Sequence, residues 1–229
     1  MWGILLLGFA IGLRHALEAD HVAAVATLAA QSTSMGRTFR LGAAWGVGHS
    51  LPLFGLGIVV LVTGLVLPEA LGRWLDVAVG GMLVLLGADV LRRMARAQLH
   101  FHVHRHRDGV THLHAHAHPA GGAPAPLHEH GHGLTLRALA VGVVHGLAGS
   151  GALVLLTLQT LHSVALGLTY IALFALGSLA GMSALTAAIA VPLGFAARRL
   201  TVALALLQGV VGLGTCALGA HMVATLLWP

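Results

Sequence analysis

Long apolar runs alternate with short polar breaks along this chain. The runs lie near 2–30, 41–66, 75–97, 135–159, 163–191 and 201–227. A helix needs roughly 20 mainly apolar residues to cross a bilayer, and each run meets that length. The first is long for one crossing, so its end is expected to emerge or bend. The widest polar interruption, 98–134, separates the third run from the fourth. The pattern predicts an all-α, polytopic membrane protein with about six transmembrane helices. It also predicts three parts: residues 1–97, a loop over 98–134, and residues 135–229.

One polar cluster violates the pattern. RHALEADH, Arg14 to His21, sits between WGILLLGFAIGL and VAAVATLAA. Ionisable groups at membrane depth are costly and mark functional sites. Imidazole suits first-row divalent ions, and a carboxylate can complete such a site. His15, Asp20 and His21 are therefore candidate metal ligands, with Glu18 a weaker addition. Two structural alternatives stand beside this: Arg14 and Glu18, spaced i,i+4, form a buried ion pair, or the histidines bond backbone groups. On a straight helix, at about 100° per residue, Asp20 lies about 140° and His21 about 240° round from His15. One ion can meet all three only if the helix bulges, kinks or breaks between residues 13 and 23. His49, in GVGHSLP just before Pro52, is a fourth candidate.

Composition narrows the class. The chain is 57% hydrophobic and 8% charged, against about 25% charged in soluble domains. The net charge of +5 comes from arginine alone, since lysine is absent. A basic balance can indicate nucleic acid, but these arginines cluster at the ends of apolar runs. Arg37, Arg40, Arg92, Arg93, Arg96, Arg105, Arg107, Arg137, Arg198 and Arg199 fall on one side; Arg73 stands alone on the other. The positive-inside rule then puts both termini outside and the long loop in the cytoplasm. Cys216 is the single cysteine and can form no internal disulfide. The first run lacks a basic leader and a small-residue cleavage site, so it is expected to be retained. No G-x-x-x-x-G-K-[ST] run suggests ATP coupling.

The two halves resemble one another. GLRHALEADHVAAVATL (12–28) aligns with GVVHGLAGSGALVLLTL (142–158) at an offset of 130, matching Gly12 to Gly142 and His15 to His145. Trp45 meets Phe174 and Gly48 meets Gly177 at an offset of 129. Three helices per unit is an odd number, so the second unit crosses in the opposite sense. Inverted repeats are a transporter architecture with the substrate site at the repeat interface. The repeat makes His145 a fifth site candidate. Gly42, Gly46 and Ser50, and likewise Gly142, Gly146 and Ser150, form small-residue faces suited to close packing in lipid.

The loop carries eleven of the 17 histidines: His100, His102, His104, His106, His112, His114, His116, His118, His128, His130 and His132. Such tracts bind metal. Alternation along an extended segment puts them on one side, and the Pro/Gly/Ala stretch 119–126 predicts flexibility. His162 and His221 lie near the outer ends of runs and are expected to be surface or interfacial.

The His-x4-Asp-His pattern of His15, Asp20 and His21 resembles the signature of the nickel/cobalt transporter superfamily. GVGHS, with His49, resembles that family's second short motif. VHGLAGSGAL (144–153) resembles the short, urease-accessory type of member. The resemblance implies transport of Ni²⁺ or Co²⁺, with the first motif's histidines and aspartate required. Unlike the longer members, this chain has its motif in the first helix, and its second half has no comparable acidic motif. The expected function is nickel or cobalt transport, with uptake favoured. Its rivals are export for metal resistance and a membrane metalloenzyme in which a bound ion activates water. Nickel or cobalt is cargo here, and no resident cofactor is expected. The expected partners are the divalent ion, the bilayer and a cytoplasmic metallochaperone, with no nucleic acid.

The arginine pattern makes a topological prediction. In a Cys216→Ala background, cysteines placed within 98–134 should react with impermeant reagent only from the cytoplasmic side. Labelling from outside alone reverses the orientation.

Overall fold

The first apolar run folds as two helices rather than one. In the computed structural model α1 spans Trp2–His15 and α2 spans Ala19–Ala29. The structure describes residues 2–30, 35–64, 68–96, 98–105, 111–118, 131–148, 163–199 and 201–228. Further helices follow: α3 (Met35–Thr63), α4 (Glu69–Arg96), α5 (Gly131–Leu147), α6 (Val164–Arg199) and α7 (Thr201–Leu227). α3 starts earlier, and α6 ends later, than the apolar runs suggest. Hydropathy reports where lipid can lie, whereas the backbone ladder continues into polar flanks such as GRTFR. The expected fourth run, 135–159, is described only as far as Ala148, and its remainder lies outside the described residues.

Segments Gly36–Thr63, Glu69–Arg96, Val164–Val191 and Ala205–Leu227 are long and apolar enough to cross a membrane. α1, α2 and α5 contain shorter apolar stretches. Large apolar side chains point outward along these helices, among them Leu85 (72% exposed), Val62 and Val210. Water would penalise such a surface, whereas lipid tails match it. The chain is a helical membrane protein.

Packing follows a reciprocal scheme. α1 lies on α6 and α3 lies on α5; α3 also meets α6, and α4 meets α7. Glycine permits these close approaches. A Cβ on Gly12 would overlap the carbonyl oxygen of Phe174, and one on Gly142 would overlap that of Trp45. The same exchange recurs nearby: Gly177 faces the Phe9 carbonyl, and Gly48 faces the Leu139 carbonyl. Between α4 and α7, Gly80 and Gly219 each lie against the other's carbonyl. Of the small-residue faces read from sequence, Gly42 meets Thr186, Gly46 meets Leu179 and Gly146 meets the His49 carbonyl. Around these contacts Trp45, Leu41, Leu83, Val25 and Met182 form a buried apolar core.

A charged clamp joins α4 to α5. Asp89, buried in α4, accepts hydrogen bonds from Arg92 Nη2 (2.8 Å), Arg93 Nε (3.2 Å) and Arg137 Nη1 of α5 (2.8 Å). Three of the arginines read above as a topology signal thus also bind a buried carboxylate.

The histidine-rich segment departs from an irregular loop. Its described backbone forms an antiparallel hairpin of β1 (Gln98–Arg105) and β2 (Thr111–His118). The register sets His100 opposite His116, His102 opposite His114 and His104 opposite His112. Alternation of histidine with Phe101, Val103, Leu113 and Ala115 has the two-residue period of a strand, and the extended segment read from it pairs here into a hairpin. The flexible stretch expected over 119–126 lies outside the described residues.

Gly142→Ala should destabilise the protein by about 1–3 kcal/mol, the range for overpacking a tight contact. Gly55→Ala should be neutral or slightly stabilising, because nothing lies within 4 Å of its added Cβ. Denaturant unfolding in micelles compares them, and equal destabilisation at both sites would refute the packing argument.

Candidate metal centre

The break between α1 and α2 is built by a few backbone bonds. Leu17 N donates to the Arg14 carbonyl (2.9 Å) and Glu18 N to the His15 carbonyl (3.1 Å), so the last turn of α1 tightens. Glu18 then takes an extended conformation (φ −64°, ψ 149°). α2 restarts at once, with Val22 N bonding the Glu18 carbonyl at 3.0 Å. One extended residue redirects the helix and satisfies its freed groups locally, as backbone at membrane depth must be. Asp20 falls in the first turn of α2, where the helix dipole favours a carboxylate. Its Oδ1 also accepts the backbone N–H of His21 (2.9 Å).

The redirected chain brings His15, Asp20 and His21 together. His21 Nδ1 lies 3.0 Å from Asp20 Oδ1, and His145 Nε2 of α5 lies 2.9 Å from Asp20 Oδ2. His15 Nε2 lies 3.0 Å from His49 Nε2 of α3. Two groups have ligand atoms all within 4.8 Å of one another: His15, His21 and His49, and Asp20, His21 and His145. They share His21, so all five candidates form one continuous cluster. Its four histidines are buried, with His21 1% exposed; Asp20 is half-buried.

Aromatic rings wall the cluster. Phe174 packs 5.4 Å from His15, and Trp45 packs 5.4 Å from His21 and 5.7 Å from His145, centroid to centroid. The glycine contacts set these rings in place, since Phe174 and Trp45 are the residues whose carbonyls Gly12 and Gly142 approach. Glycine packing and site geometry are one construction.

The cluster is short of partners. His21 Nε2, His49 Nδ1 and His145 Nδ1 are buried with no hydrogen-bond partner among the described residues. An unsatisfied buried polar atom costs about 1–3 kcal/mol, and a cation that accepts nitrogen lone pairs would offset that. Imidazole nitrogens about 2.0–2.1 Å from a divalent ion and at right angles lie about 3 Å apart, the separation seen between His15 and His49. The donor set of nitrogen plus one carboxylate suits a first-row divalent ion.

Other candidates fall elsewhere. Arg14 and Glu18 are both exposed, so they form no buried ion pair; Glu18 Oε1 instead lies 3.2 Å from His15 Nδ1. His100, His102, His104, His112, His114, His116 and His118 lie on the hairpin backbone, and His132 lies in the first turn of α5. His106, His128, His130 and His162 are outside the described residues, and His221 is exposed. Sequence reasoning passed over the aromatic walls and Asp76, which shares a cavity with Asp20, His21 and His145. Its signal was available: GRWLDVAVGG places a lone acid inside an apolar helix.

Comparison with known proteins agrees with the motifs. No family model and no solved structure matches the chain. It is 31% identical to the urease accessory protein UreH of Bacillus sp. (strain TB-90), over 97% of this chain and 91% of that protein. The chain belongs to the UreH-like family of nickel/cobalt transporter type. A second relative, the nickel transporter NicT of Mycobacterium tuberculosis (strain ATCC 25618 / H37Rv), is 44% identical over 64 residues, 28% of this chain and 17% of that protein.

Asp20 is the one carboxylate that holds both His21 and His145. In protein lacking residues 100–132, Asp20→Asn should lower nickel affinity about 10–100-fold, as loss of a ligand-orienting group does. Equilibrium dialysis measures it, and undiminished affinity would remove Asp20 from the site.

Proposed function

We propose that this UreH-like protein carries Ni²⁺, and Co²⁺ as a related ion, across the cytoplasmic membrane through the cluster of His15, Asp20, His21, His49 and His145. The observation that carries the reading is the set of buried imidazole nitrogens without partners among the described residues, at a break in an apolar helical run. Discontinuous helices commonly build transporter sites. The name of one relative, the nickel transporter NicT, points to nickel. Protein ligands replace the ion's water shell, and a change of access between the two faces releases it.

The two halves form an inverted repeat of three helices each. The paired glycine–carbonyl contacts support this, since Gly12 and Phe174 exchange roles with Gly142 and Trp45 at the sequence offsets found above. Arginine placement supports both termini outside, with residues 98–134 in the cytoplasm. There the histidine-rich segment buffers or senses the metal and passes it to a metallochaperone. Neutral imidazole is the ligand, so its retention of metal falls as pH drops below about 6.5. Uptake is the favoured direction.

Flux in sealed vesicles tests the reading, with equal amounts of folded protein and radioactive metal supplied first outside and then inside. His15→Ala, Asp20→Ala and His21→Ala should each abolish nickel or cobalt flux with the protein still inserted. Replacing residues 100–132 by a short flexible linker should leave measurable flux. Loss of flux on loop replacement, with the three core variants active, would move the transport site into the loop.

A further inference from the structure

Resting on the transport reading above, in which residues 98–134 hold metal in the cytoplasm, we propose that the ligand unit of that segment is the cross-strand histidine pair. A divalent ion bridging such a pair closes β1 onto β2, so nickel occupancy sets whether the hairpin forms.

Antiparallel pairing sets His100 opposite His116, His102 opposite His114 and His104 opposite His112. The positions between them pair Leu99 with Ala117, Phe101 with Ala115 and Val103 with Leu113. Residues directly opposite share one face of the sheet, and so do residues two apart on a strand. The three histidine pairs therefore occupy one face as successive rungs, and the apolar pairs occupy the other. A shift of one residue in either direction would set these β1 histidines opposite alanine, leucine or threonine instead.

Spacing favours the rung over other combinations. Cβ atoms of directly opposed residues lie about 4.5–5.5 Å apart, against about 7–8 Å on the diagonal. Along one strand, positions two apart are separated by about 6.6 Å, at about 3.3 Å per residue. A divalent ion takes imidazole nitrogens at about 2.0–2.1 Å, which leaves two of them about 3–4 Å from each other. The opposed pair is the combination whose backbone stands closest to that separation. Ladder geometry alternates from one residue to the next, so rungs two residues apart are of one kind and offer equivalent sites. Two ring nitrogens leave the remaining coordination positions to water. A rung therefore releases its ion more readily than the buried cluster does, as a store must.

Energetics tie the ion to the fold. β1 pairs with β2 and with no other strand among the described residues. An isolated two-stranded hairpin is marginally stable at best in water. Alanine is depleted in strands, and β2 carries Ala115 and Ala117. Pairing of the strands needs a further contribution, and an ion that ligates one residue from each strand supplies it. Where the site is absent from the open segment, the free energy of binding metal is free energy of folding.

The test follows amide hydrogen exchange of β1 and β2 by mass spectrometry as NiCl₂ is titrated into the full chain in micelles. The readout is local, so metal at the buried cluster does not enter it. In chelator the strand amides should exchange as an open chain, and saturating Ni²⁺ should slow them severalfold. The nickel concentration giving half protection is the midpoint. His102→Ala should raise the midpoint about 3–10-fold, within the range for residues that interact directly. Adding His114→Ala, its rung partner, should raise it little further. Adding His116→Ala instead, from another rung, should multiply the two effects. A general loss of strand propensity acts additively at both positions, so the comparison separates it from loss of a ligand. Exchange in α3 should be unchanged in all variants, which checks that the core is folded. Effects that multiply equally with either partner, or that saturate with His116 in place of His114, overturn the rungs. Strands protected in chelator, or unprotected at saturating nickel, overturn the closure of the hairpin by metal. The outcome is independent of flux: the predicted pairing without flux in sealed vesicles sinks the transport reading alone, and flux without the pairing sinks the rungs alone.

Discussion

Contact between bare backbones at glycine is the constraint on which the rest of this structure depends. Between membrane helices there is little hydrophobic drive, so association rests on how closely the helices pack. Gly12 and Gly142 bring α1 against α6 and α5 against α3. A residue with a β-carbon at either position would push apart the helices that carry His15, His49 and His145. The histidines meet because the glycines let them. The partners in those contacts, Phe174 and Trp45, also wall the cluster, so a change in helix spacing is felt at once by the imidazole rings.

The second requirement is the break at residues 16–18. A continuous helix would send Asp20 and His21 away from His15, and no rotamer choice would recover the angle. The break solves this with one extended residue, Glu18, while every backbone group named there keeps a partner. Asp20 then serves two histidines from different parts of the chain. One carboxylate thus fastens the first half to the second beside ring nitrogens that have no partner among the described residues.

Sequence made much of this legible, and the failures have physical causes. The RHALEADH cluster stood out because charge inside an apolar run is expensive. The helix distortion followed from angles alone, yet its place at 16–18 did not, since neither glycine nor proline marks it. His145 was reachable only through internal similarity, because a single histidine in VHGLAGSGAL has no acidic neighbour to announce it. Trp45 and Phe174 escaped notice as site walls, since aromatic residues in apolar runs read as ordinary packing. Asp89 was hidden by its own arginines, which the charge count had already explained as a topology signal. The hairpin was visible as a two-residue period but was read as flexible because of the Pro/Gly/Ala stretch beside it.

The Asp89–Arg137 bond has a further consequence for the segment between α4 and α5. It pins the end of one helix to the start of the other, so the two ends of the intervening chain are held together whatever lies between them. With the ends held by the helices, the segment enters the entropy of closing that ring mainly through its length. Doubling the length of such a loop adds only about 0.6 kcal/mol. Histidines can therefore be gained or lost there in evolution with little effect on the folded core, and the composition of that segment drifts independently of the packing around the buried cluster.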